Sequence, residues 1–254
     1  MDCSWDFKGY SGIVTGAASG IGAEVSLLLA KSGAALALAD RNQSGLAAVN
    51  ESCGKLSSVE PLPLPVDISK PLDVERMVDE TLQRYGKIDF LVTSAGVLYR
   101  SQFLDIELAE WDEVMATNLR GMFLCNQAVV KAMLKNGGGR IVNIASVAGR
   151  SISLIGGAHY ATSKHAVVGL TRHMARELCK SGIRANVFCP GATHTPMIHD
   201  NLNAEQVEEL EQRIALGRLA SPDEQARVVA YLLSDAASYL NGACVDSNGG
   251  SVML

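Results

Sequence analysis

The sequence lacks the features that would place it in a membrane, outside the cell or on nucleic acid. No apolar run approaches the roughly 18 residues that cross a bilayer, and Met1 to Tyr10 carry no apolar segment typical of a signal peptide. The formal net charge of -5 does not suit general nucleic-acid binding, which needs a basic surface. We therefore expect a cytoplasmic protein with no membrane and no nucleic-acid partner.

Cysteine pairs at metal-binding spacing are also missing. None of the six cysteines forms a Cys-x-x-Cys pair, so we expect no metal site. Their scatter through apolar segments is typical of reduced, buried thiols. They are Cys3, Cys53, Cys125, Cys179, Cys189 and Cys244.

No linker, repeat or low-complexity tract divides the chain, and 254 residues at 48% hydrophobic content suffice for one domain. Apolar runs of strand length alternate with longer amphipathic runs. This alternation predicts an α/β fold, a doubly wound parallel sheet of seven strands with helices on both faces. The strands are expected at Ser11–Thr15, Ala34–Ala39, Glu60–Val66, Ile88–Thr93, Arg140–Ala145, Arg184–Phe188 and Ala243–Asp246. The helices are expected at Ile21–Lys31, Gln43–Lys55, Leu72–Tyr85, Ala109–Lys135, His159–Lys180 and Pro222–Leu233.

Residues 193–216 break the alternation, because they separate a strand from a helix with no strand between. Within them, Asn203–Ile214 carries Val207, Leu210 and Ile214 at helical spacing. We predict an inserted helical lid over the substrate. A helix packed permanently on the domain is the alternative.

A glycine-rich turn joins the first strand to the first helix. Glycines allow a tight turn and close approach to a pyrophosphate, and the helix N-terminus adds free N–H groups and a positive dipole end. An ordinary strand–helix turn is the alternative, but the context favours dinucleotide binding. The candidate residues are Gly16, Ser19, Gly20, Ile21 and Gly22.

Asp40 ends the second strand, where a carboxylate can accept both ribose hydroxyls of NAD and repel the 2′-phosphate of NADP. A turn-forming Asp40 is the alternative, and the neighbouring Arg41 could attract a phosphate. Ser19 supports NAD, since the glycine turn contains no basic residue. NAD is therefore the predicted cofactor, and NADP is disfavoured.

The third and fourth strands end in further candidates for cofactor binding. Asp67, followed by Ile68, could accept from the adenine amino group or form a turn or cap. Small residues after the fourth strand would let the cofactor lie against the backbone, although close strand–helix packing would also require them. These residues are Ser94, Ala95 and Gly96.

Tyr160 and Lys164 are four residues apart and so share one helix face. A phenol has a pKa of about 10. A positive charge about 4 Å away at an effective dielectric of about 20 favours phenolate by about 4 kcal/mol, or about 3 pKa units. The pair therefore predicts acid–base chemistry near neutral pH, as hydride transfer at a carbonyl or alcohol carbon requires.

These motifs, with Ser146 ending the fifth strand, Asn118-Leu119-Arg120-Gly121 and Pro190-Gly191, resemble those of the short-chain dehydrogenase/reductase superfamily. The resemblance runs from the glycine turn to Gly249-Gly250. It implies a single Rossmann-fold domain over residues 1–254 and an NAD(P)-dependent enzyme acting on CH–OH groups.

The resemblance also implies residue roles. Tyr160 would donate or accept the proton, and Lys164 would bind the nicotinamide ribose. Ser146 would stabilise the substrate oxygen, and Asn118 would hold a water that links Lys164 to solvent. The nicotinamide carboxamide would lie against Pro190, Gly191, Thr193 and Thr195.

Two departures from the family pattern stand out. Thr93-Ser94-Ala95-Gly96 replaces the usual NNAG, so hydroxyls stand where amides are expected. The interval from Ser146 to Tyr160 is 14 residues, about one longer than common, and we place the extra residue in Ser151–Ala158. It would alter the substrate wall and leave the mechanism intact.

The substrate is expected to be a small secondary alcohol, diol, polyol, sugar-like molecule or ketone, because no basic cluster calls for phosphate. His159 and His194 could bind it, or serve surface or packing roles. The expected lining is Val97, Leu98, Tyr99, Val147, Leu154, Ile155, His159, His194 and the lid.

A homotetramer is implied by the resemblance and by a surplus of apolar residues on two helices. These residues are Met122, Phe123, Val129, Val130, Val167, Val168 and Leu170, and the ending Val252-Met253-Leu254 could join the interface.

Two rival functions stay open. An NADPH-dependent 3-oxoacyl thioester (acyl-carrier-protein) reductase is disfavoured by Asp40 and Ser19. A non-catalytic NAD-sensing protein is disfavoured by the intact set of Asn118, Ser146, Tyr160 and Lys164.

Overall fold

A parallel sheet of seven strands forms the centre of the fold. The computed structural model describes residues 5–253, so Cys3 and Leu254, two positions named above, lie outside it. The strands are β1 Ser11–Thr15, β2 Ala35–Asp40, β3 Leu62–Pro65, β4 Phe90–Thr93, β5 Gly139–Ile144, β6 Ile183–Pro190 and β7 Cys244–Ser247. Their order is β3-β2-β1-β4-β5-β6-β7, all parallel, which confirms the predicted fold class.

Nine α-helices cover the sheet in the described part of the chain. They are α1 Gly20–Lys31, α2 Gln43–Leu56, α3 Pro71–Tyr85, α4 Leu108–Val114, α5 Met122–Lys135, α6 Ala158–Leu178, α7 Pro196–His199, α8 Ala204–Gln212 and α9 Pro222–Leu233. One apolar core packs α1, α2 and α9 on one face of the sheet, and a second packs α3, α5 and α6 on the other. None of the described helices is long and apolar enough to cross a bilayer.

The order of the strands reverses between β1 and β4. Chain connections therefore leave β1 and β4 toward opposite sides, and a crevice opens at the carboxyl ends of these strands. β1 and β4 are buried at every position, as a sheet covered on both faces requires. The glycine turn and Ser94 both lie at this edge.

The single helix expected over Ala109–Lys135 is interrupted. A π-helical segment, Met115–Gly121, separates α4 from α5. Close packing accompanies it, since a Cβ on Gly121 would lie 2.8 Å from Ile68 Cγ1. Such segments carry an irregular turn inside a helix and are frequent at functional sites; this one carries Asn118.

Residues 193–216 form α7 and α8, joined by a short turn, where the sequence predicted one helix. Asn203 and Gln206 form a reciprocal capping box that starts α8. Ile198, Leu210 and Ile214 are buried together with Leu219 in a separate apolar cluster. The segment is thus packed on the domain in this conformation, and its opening as a lid stays a prediction.

The apolar surplus expected on α5 and α6 is mostly internal. Both helices pack against the sheet and against adjacent helices. This packing buries Met122, Val129, Val167 and Val168. Val130 and Leu170 are partly buried, and Phe123 has 40% of its surface exposed. The surplus argument for a tetramer was therefore wrong for most of these residues.

Candidate active site

Four predicted catalytic residues meet at the carboxyl end of the central strands. Ser146 follows β5, Tyr160 and Lys164 lie on α6, and Asn118 lies in the π-helical segment. Tyr160 and Lys164 are 7% and 5% exposed, and Lys164 Nζ lies 5.7 Å from the centroid of the Tyr160 ring. The i, i+4 spacing therefore places the phenol and the ammonium side by side.

Asn118 joins the loop after β4 to the catalytic helix. Its Oδ1 accepts from Val97 N at 2.8 Å, while its Nδ2 donates to Val97 O at 2.9 Å and to Ser163 Oγ at 3.2 Å. Ser163 in turn donates to Tyr160 O at 2.7 Å. Asn118 is 2% exposed, so the alternative of a solvated helix face does not hold. Sequence reasoning missed Ser163, because only its place beside Tyr160 in the first turns of α6 hinted at a role.

Lys164 is a buried ammonium with one backbone partner. Its Nζ donates to Ile144 O at 3.1 Å, two residues before Ser146 in the chain. Burial lowers the pKa of Lys164 from 10.5 to about 8. The charged form is therefore costly to hold in the fold, as expected for a functional lysine rather than a structural one.

Lys164→Met is expected to stabilise the fold at neutral pH while reducing activity. A folded-state pKa below the unfolded value means that the unfolded chain binds more protons between pH 8 and 10.5, so wild-type stability gains with rising pH across this window. Across this window the free energy of unfolding of the wild type rises by about 3 kcal/mol, whereas that of the methionine variant does not. Urea unfolding of both proteins at several pH values measures this difference. The lowered pKa of Lys164 would be contradicted if the stability of the two proteins changed with pH by the same amount.

Burial also governs Tyr160. It raises the pKa of the phenol above its usual value, and the neighbouring Ser146 hydroxyl acts in the opposite direction. The lowering that the sequence predicted from Lys164 is not found here, because desolvation of the buried phenolate dominates and the Ser146 hydroxyl, not Lys164, opposes it.

One cleft, hereafter the main cleft, gathers most of the predicted cofactor residues at the carboxyl edge of the sheet. It extends from the glycine turn past the end of β2 to Tyr160. Its predicted lining residues are Gly16, Ser19, Gly20, Ile21, Asp40, Arg41, Asp67, Ile68, Ser94, Ala95, Gly96, Tyr160, Lys164, Pro190 and Thr195.

The glycine turn has no room for a side chain at two of its glycines. Gly16 has a φ of +69°, and a Cβ there would lie 2.6 Å from Ala95 N. Gly22 lies behind the turn rather than in the main cleft, and a Cβ there would lie 2.1 Å from Gly16 O. The residues present therefore fit the pyrophosphate of a dinucleotide at the N-terminus of α1.

Asp40 makes the turn contacts that the sequence left as one alternative, and its contact with ribose stays a prediction. Its Oδ2 accepts from Ala18 N at 3.0 Å and its Oδ1 from Asn42 N at 2.8 Å, so it fixes the turn. It also lines the main cleft. Arg41 reaches toward Glu113, with Nη1 3.7 Å from Oε1, in an exposed ion pair.

Asp67 and the residues after β4 also reach the main cleft. Asp67 Oδ1 accepts from both the N and the Oγ of Ser69, at 3.0 and 2.7 Å, so a turn role and a cleft position coexist. The Thr93 hydroxyl, one of the departures from the family pattern, donates to buried Asn143 Oδ1 at 2.7 Å. This hydroxyl supports β4 from the neighbouring strand β5.

Thr193 lies outside the main cleft and lines the cavity next to it, so its predicted contact with the cofactor stays a prediction. Its buried hydroxyl donates to Gly191 O at 3.0 Å and accepts from Gln225 Nε2 at 3.2 Å, so it ties the chain after β6 to α9. Gly191 also lies outside that cleft, and a Cβ there would lie 2.7 Å from Asn248 Cα. Thr195 and Pro190 keep the predicted position.

A second cavity, hereafter the apolar pocket, adjoins the main cleft at Tyr160. Ser146 and Tyr160 lie at this junction, and Leu98, Val147, Leu154 and Ile155 line the pocket as predicted. From α7, α8 and the segment after α8 come Met197, Ile198, Leu210 and Ile214. The loop 151–158, where we placed the extra residue, forms one wall.

Four residues expected in this pocket lie elsewhere. Val97 lines the main cleft, and Tyr99 donates its hydroxyl to Glu113 Oε2 at 2.6 Å. His159 is fully buried, with Nε2 2.6 Å from Glu110 Oε1. His194 stacks on His199 at the surface. Loop position alone could not show which way these side chains point.

Comparison with known proteins agrees with this geometry. A family model described as enoyl-(acyl carrier protein) reductase matches residues 16–251. The 3-oxoacyl-[acyl-carrier-protein] reductase FabG of Thermotoga maritima is 37% identical over 95% of this chain and 97% of its own length. The D-threitol dehydrogenase of Mycolicibacterium smegmatis is 36% identical over 98% and 96%. The crystal structure of a short-chain type dehydrogenase/reductase from Mycobacterium marinum superposes with a TM-score of 0.93 at 36% identity, covering 98% and 97% of the two chains.

Proposed function

This chain belongs to the short-chain dehydrogenase/reductase superfamily of NAD(P)-dependent enzymes that act on CH–OH groups, and on that premise we propose that it uses NAD to interconvert a small secondary alcohol and its ketone. The single observation that carries the proposal is the position of Tyr160, which lines both the main cleft and the apolar pocket. A substrate oxygen at this junction would meet Tyr160 and Ser146 together.

Tyr160, Ser146 and Lys164 then have separate roles in the reaction. Nicotinamide bound in the main cleft supplies or takes up the hydride. Tyr160 accepts the alcohol proton during oxidation and returns it to the carbonyl oxygen during reduction. Ser146 donates a hydrogen bond to that oxygen and stabilises its developing charge. Lys164, buried beside the phenol, would bind ribose hydroxyls and place a positive charge near a phenolate.

The preference for NAD rests on Asp40. Its carboxylate lines the main cleft at the end of β2, and a 2′-phosphate placed there would meet its negative charge. Arg41 forms an ion pair with Glu113, so its positive charge is less available to a 2′-phosphate. Ser19 adds no basic group to the turn.

Asp40→Asn is expected to raise the KM for NAD by roughly tenfold and to reduce discrimination against NADP, since a charge-assisted hydrogen bond is lost and the repulsion disappears. Asparagine keeps an oxygen for Ala18 N, so the turn is preserved better than in Asp40→Ala. Steady-state kinetics with both cofactors measure the change. An unchanged preference in both variants would contradict the assigned role.

A second candidate is reduction of a 3-oxoacyl thioester with NADPH. It is favoured by the Thermotoga maritima relative, which carries that name. Parallel assays separate the two: NADPH consumption with a short 3-oxoacyl thioester against NADH formation with secondary alcohols. A non-catalytic NAD-sensing protein would bind NAD and give neither reaction.

We also propose a cytoplasmic homotetramer. Exposed Phe123 and Leu134 on α5 support association through helices, and the free thiols Cys53, Cys125 and Cys189 suit a reducing compartment. Light scattering during size-exclusion chromatography should give four times the 26.9 kDa chain mass. A monomeric mass at micromolar protein would contradict the tetramer.

A further inference from the structure

We propose that the substrate is an uncharged, largely apolar ketone or secondary alcohol with aliphatic or alicyclic groups, rather than a polyol or sugar. The inference rests on the proposed function, since it takes the junction of Tyr160 and Ser146 as the reacting end. The sequence predicted both polyols and simple alcohols as substrates, and this inference excludes the polyols.

The lining of the apolar pocket carries the inference. Among residues 5–253, the side chains that line it include no Asp, Glu, Lys, Arg or His, so a phosphate or carboxylate would be buried there without a charged partner. Apart from Tyr160, its large side chains are aliphatic, and its remaining polar side chains are serine and threonine hydroxyls.

The hydroxyls away from the reacting end are largely engaged within the protein. Thr193 Oγ1 donates to Gly191 O at 3.0 Å, and Thr195 Oγ1 donates to Thr193 O at 3.3 Å. Ser153 Oγ accepts from Gly156 N at 2.8 Å. A polyol buried here would leave several hydroxyls without partners, and each unpaired hydroxyl opposes binding.

The far wall is already assembled. Ile198, Leu210 and Ile214 are each at most 7% exposed and pack with Leu219, while Ile155 packs against the same cluster from the opposite loop. A substrate alkyl group would extend this cluster rather than displace ordered polar contacts. Affinity should therefore grow with each methylene that enters the pocket.

A matched panel tests the substrate class. With NAD, kcat/KM should rise about fourfold per methylene from 2-butanol to 2-hexanol. Hexitols of the same carbon number should fall at least roughly tenfold below 2-hexanol. As a readout independent of turnover, 2-hexanone should raise the melting temperature of the NADH-loaded protein more than a ketohexose does.

Two variants locate the effect. Ile155→Thr places a hydroxyl on the pocket wall and should lower kcat/KM for 2-hexanol by roughly tenfold, with the KM for NAD unchanged. Val207→Thr is the control, because Val207 packs on the same cluster without lining the pocket. It should match the wild type.

Polyol rates equal to or above those of the alkanols, or a flat alkanol series, would overturn the substrate class and leave the proposed function standing. Equal losses in Ile155→Thr and Val207→Thr would also overturn it. Absence of turnover with every alcohol and ketone, despite NAD binding, would contradict the proposed function and the substrate class together.

A separate observation concerns the N-terminus of α6. We infer that His159 and Glu110 position the turn that carries Tyr160. His159 Nε2 donates to Glu110 Oε1 at 2.6 Å, and Glu110 Oε2 accepts from Ser101 Oγ at 2.8 Å. The N-cap residue of α6 is Gly157, which has no side chain to cap the helix. The hydrogen bond from His159 to Glu110 therefore ties this first turn to α4.

This contact complements the one made by Asn118. Asn118 reaches Ser163 on one side of Tyr160, and Glu110 reaches His159 on the other. Loss of either hydrogen bond would allow the first turn of α6, and Tyr160 with it, to shift. A displacement of a reacting group near 1 Å costs on the order of 100-fold in rate.

The test separates positioning from stability. His159→Leu should lower kcat roughly 100-fold with little change in NAD affinity, whereas His159→Gln, which keeps a donor near Nε2, should stay within about threefold of wild type. The double variant His159→Leu/Glu110→Leu removes both polar partners, folds without an unpaired buried charge and should remain slow. Melting temperatures and NAD titrations accompany each assay.

Equal losses in His159→Leu and His159→Gln would overturn the positioning role, because the donor would then not matter. So would a double variant with wild-type kcat. A kcat that follows the melting temperature across all variants would assign the pair to stability alone and would likewise overturn it.

Discussion

Tyr160→Phe is expected to lower kcat about 1,000-fold in both directions while NAD affinity stays within about threefold, since general acid–base catalysis contributes about 10² to 10⁴. Phenylalanine keeps the ring in its buried position and removes only the hydroxyl that would carry the proton. Ser146 and Lys164 remain, but neither can replace a phenol at the junction of the main cleft and the apolar pocket. Steady-state oxidation kinetics and an NAD titration measure the two effects separately.

Tyr85→Phe is the matched control. Tyr85 Oη lies 3.0 Å from both Leu36 O and Glu60 O, which share its one proton, and Tyr85 lines neither cavity. Its loss should reduce stability by about 1 kcal/mol and leave kcat unchanged. A Tyr160→Phe variant as active as this control would remove the phenol from the mechanism.

Gly22→Ala is expected to weaken NAD binding by roughly 100-fold, the second large effect. The added Cβ would lie 2.1 Å from Gly16 O, so the glycine turn must move away from α1. Overpacking of this kind costs about 1 to 3 kcal/mol, and the displaced backbone is the surface that would hold the pyrophosphate. Isothermal titration with NAD measures the loss.

Gly54→Ala provides the comparison, because it makes the same change on an exposed face of α2. A Cβ there would meet only Pro61 Cδ at 4.0 Å. Only helix propensity then affects stability, and it favours alanine over glycine by up to about 1 kcal/mol. Equal NAD affinity in Gly22→Ala and Gly54→Ala would show that the glycine turn does not hold the cofactor.

The local patterns of the sequence predicted much of the fold. β1 has the predicted bounds because a fully buried parallel strand is a continuous apolar run that a glycine turn ends. Tyr160 and Lys164 could be paired because helix geometry fixes the relation of i and i+4. Asp40 could be placed because a strand end in a doubly wound sheet fixes the edge that its side chain reaches.

Features that depend on tertiary packing could not be predicted. Nothing periodic marks the π-helical segment, and the close packing of Gly121 against Ile68 that accompanies it is visible only in the fold. His159 was expected near the substrate, but its orientation depends on Glu110, 49 positions earlier in the chain. The sequence likewise does not show the contact of Thr193 with Gln225, 32 positions later in the chain.

The central claim is that Tyr160 moves the proton during NAD-dependent oxidation of a secondary alcohol. The most direct measurement follows the absorbance of reduced nicotinamide when purified wild type and Tyr160→Phe are mixed with NAD and a panel of secondary alcohols. The account predicts steady formation of NADH by the wild type with at least one alcohol, and near-complete loss in the variant. Equal rates in the two proteins, or no NADH from any alcohol by a wild type that binds NAD, would contradict it.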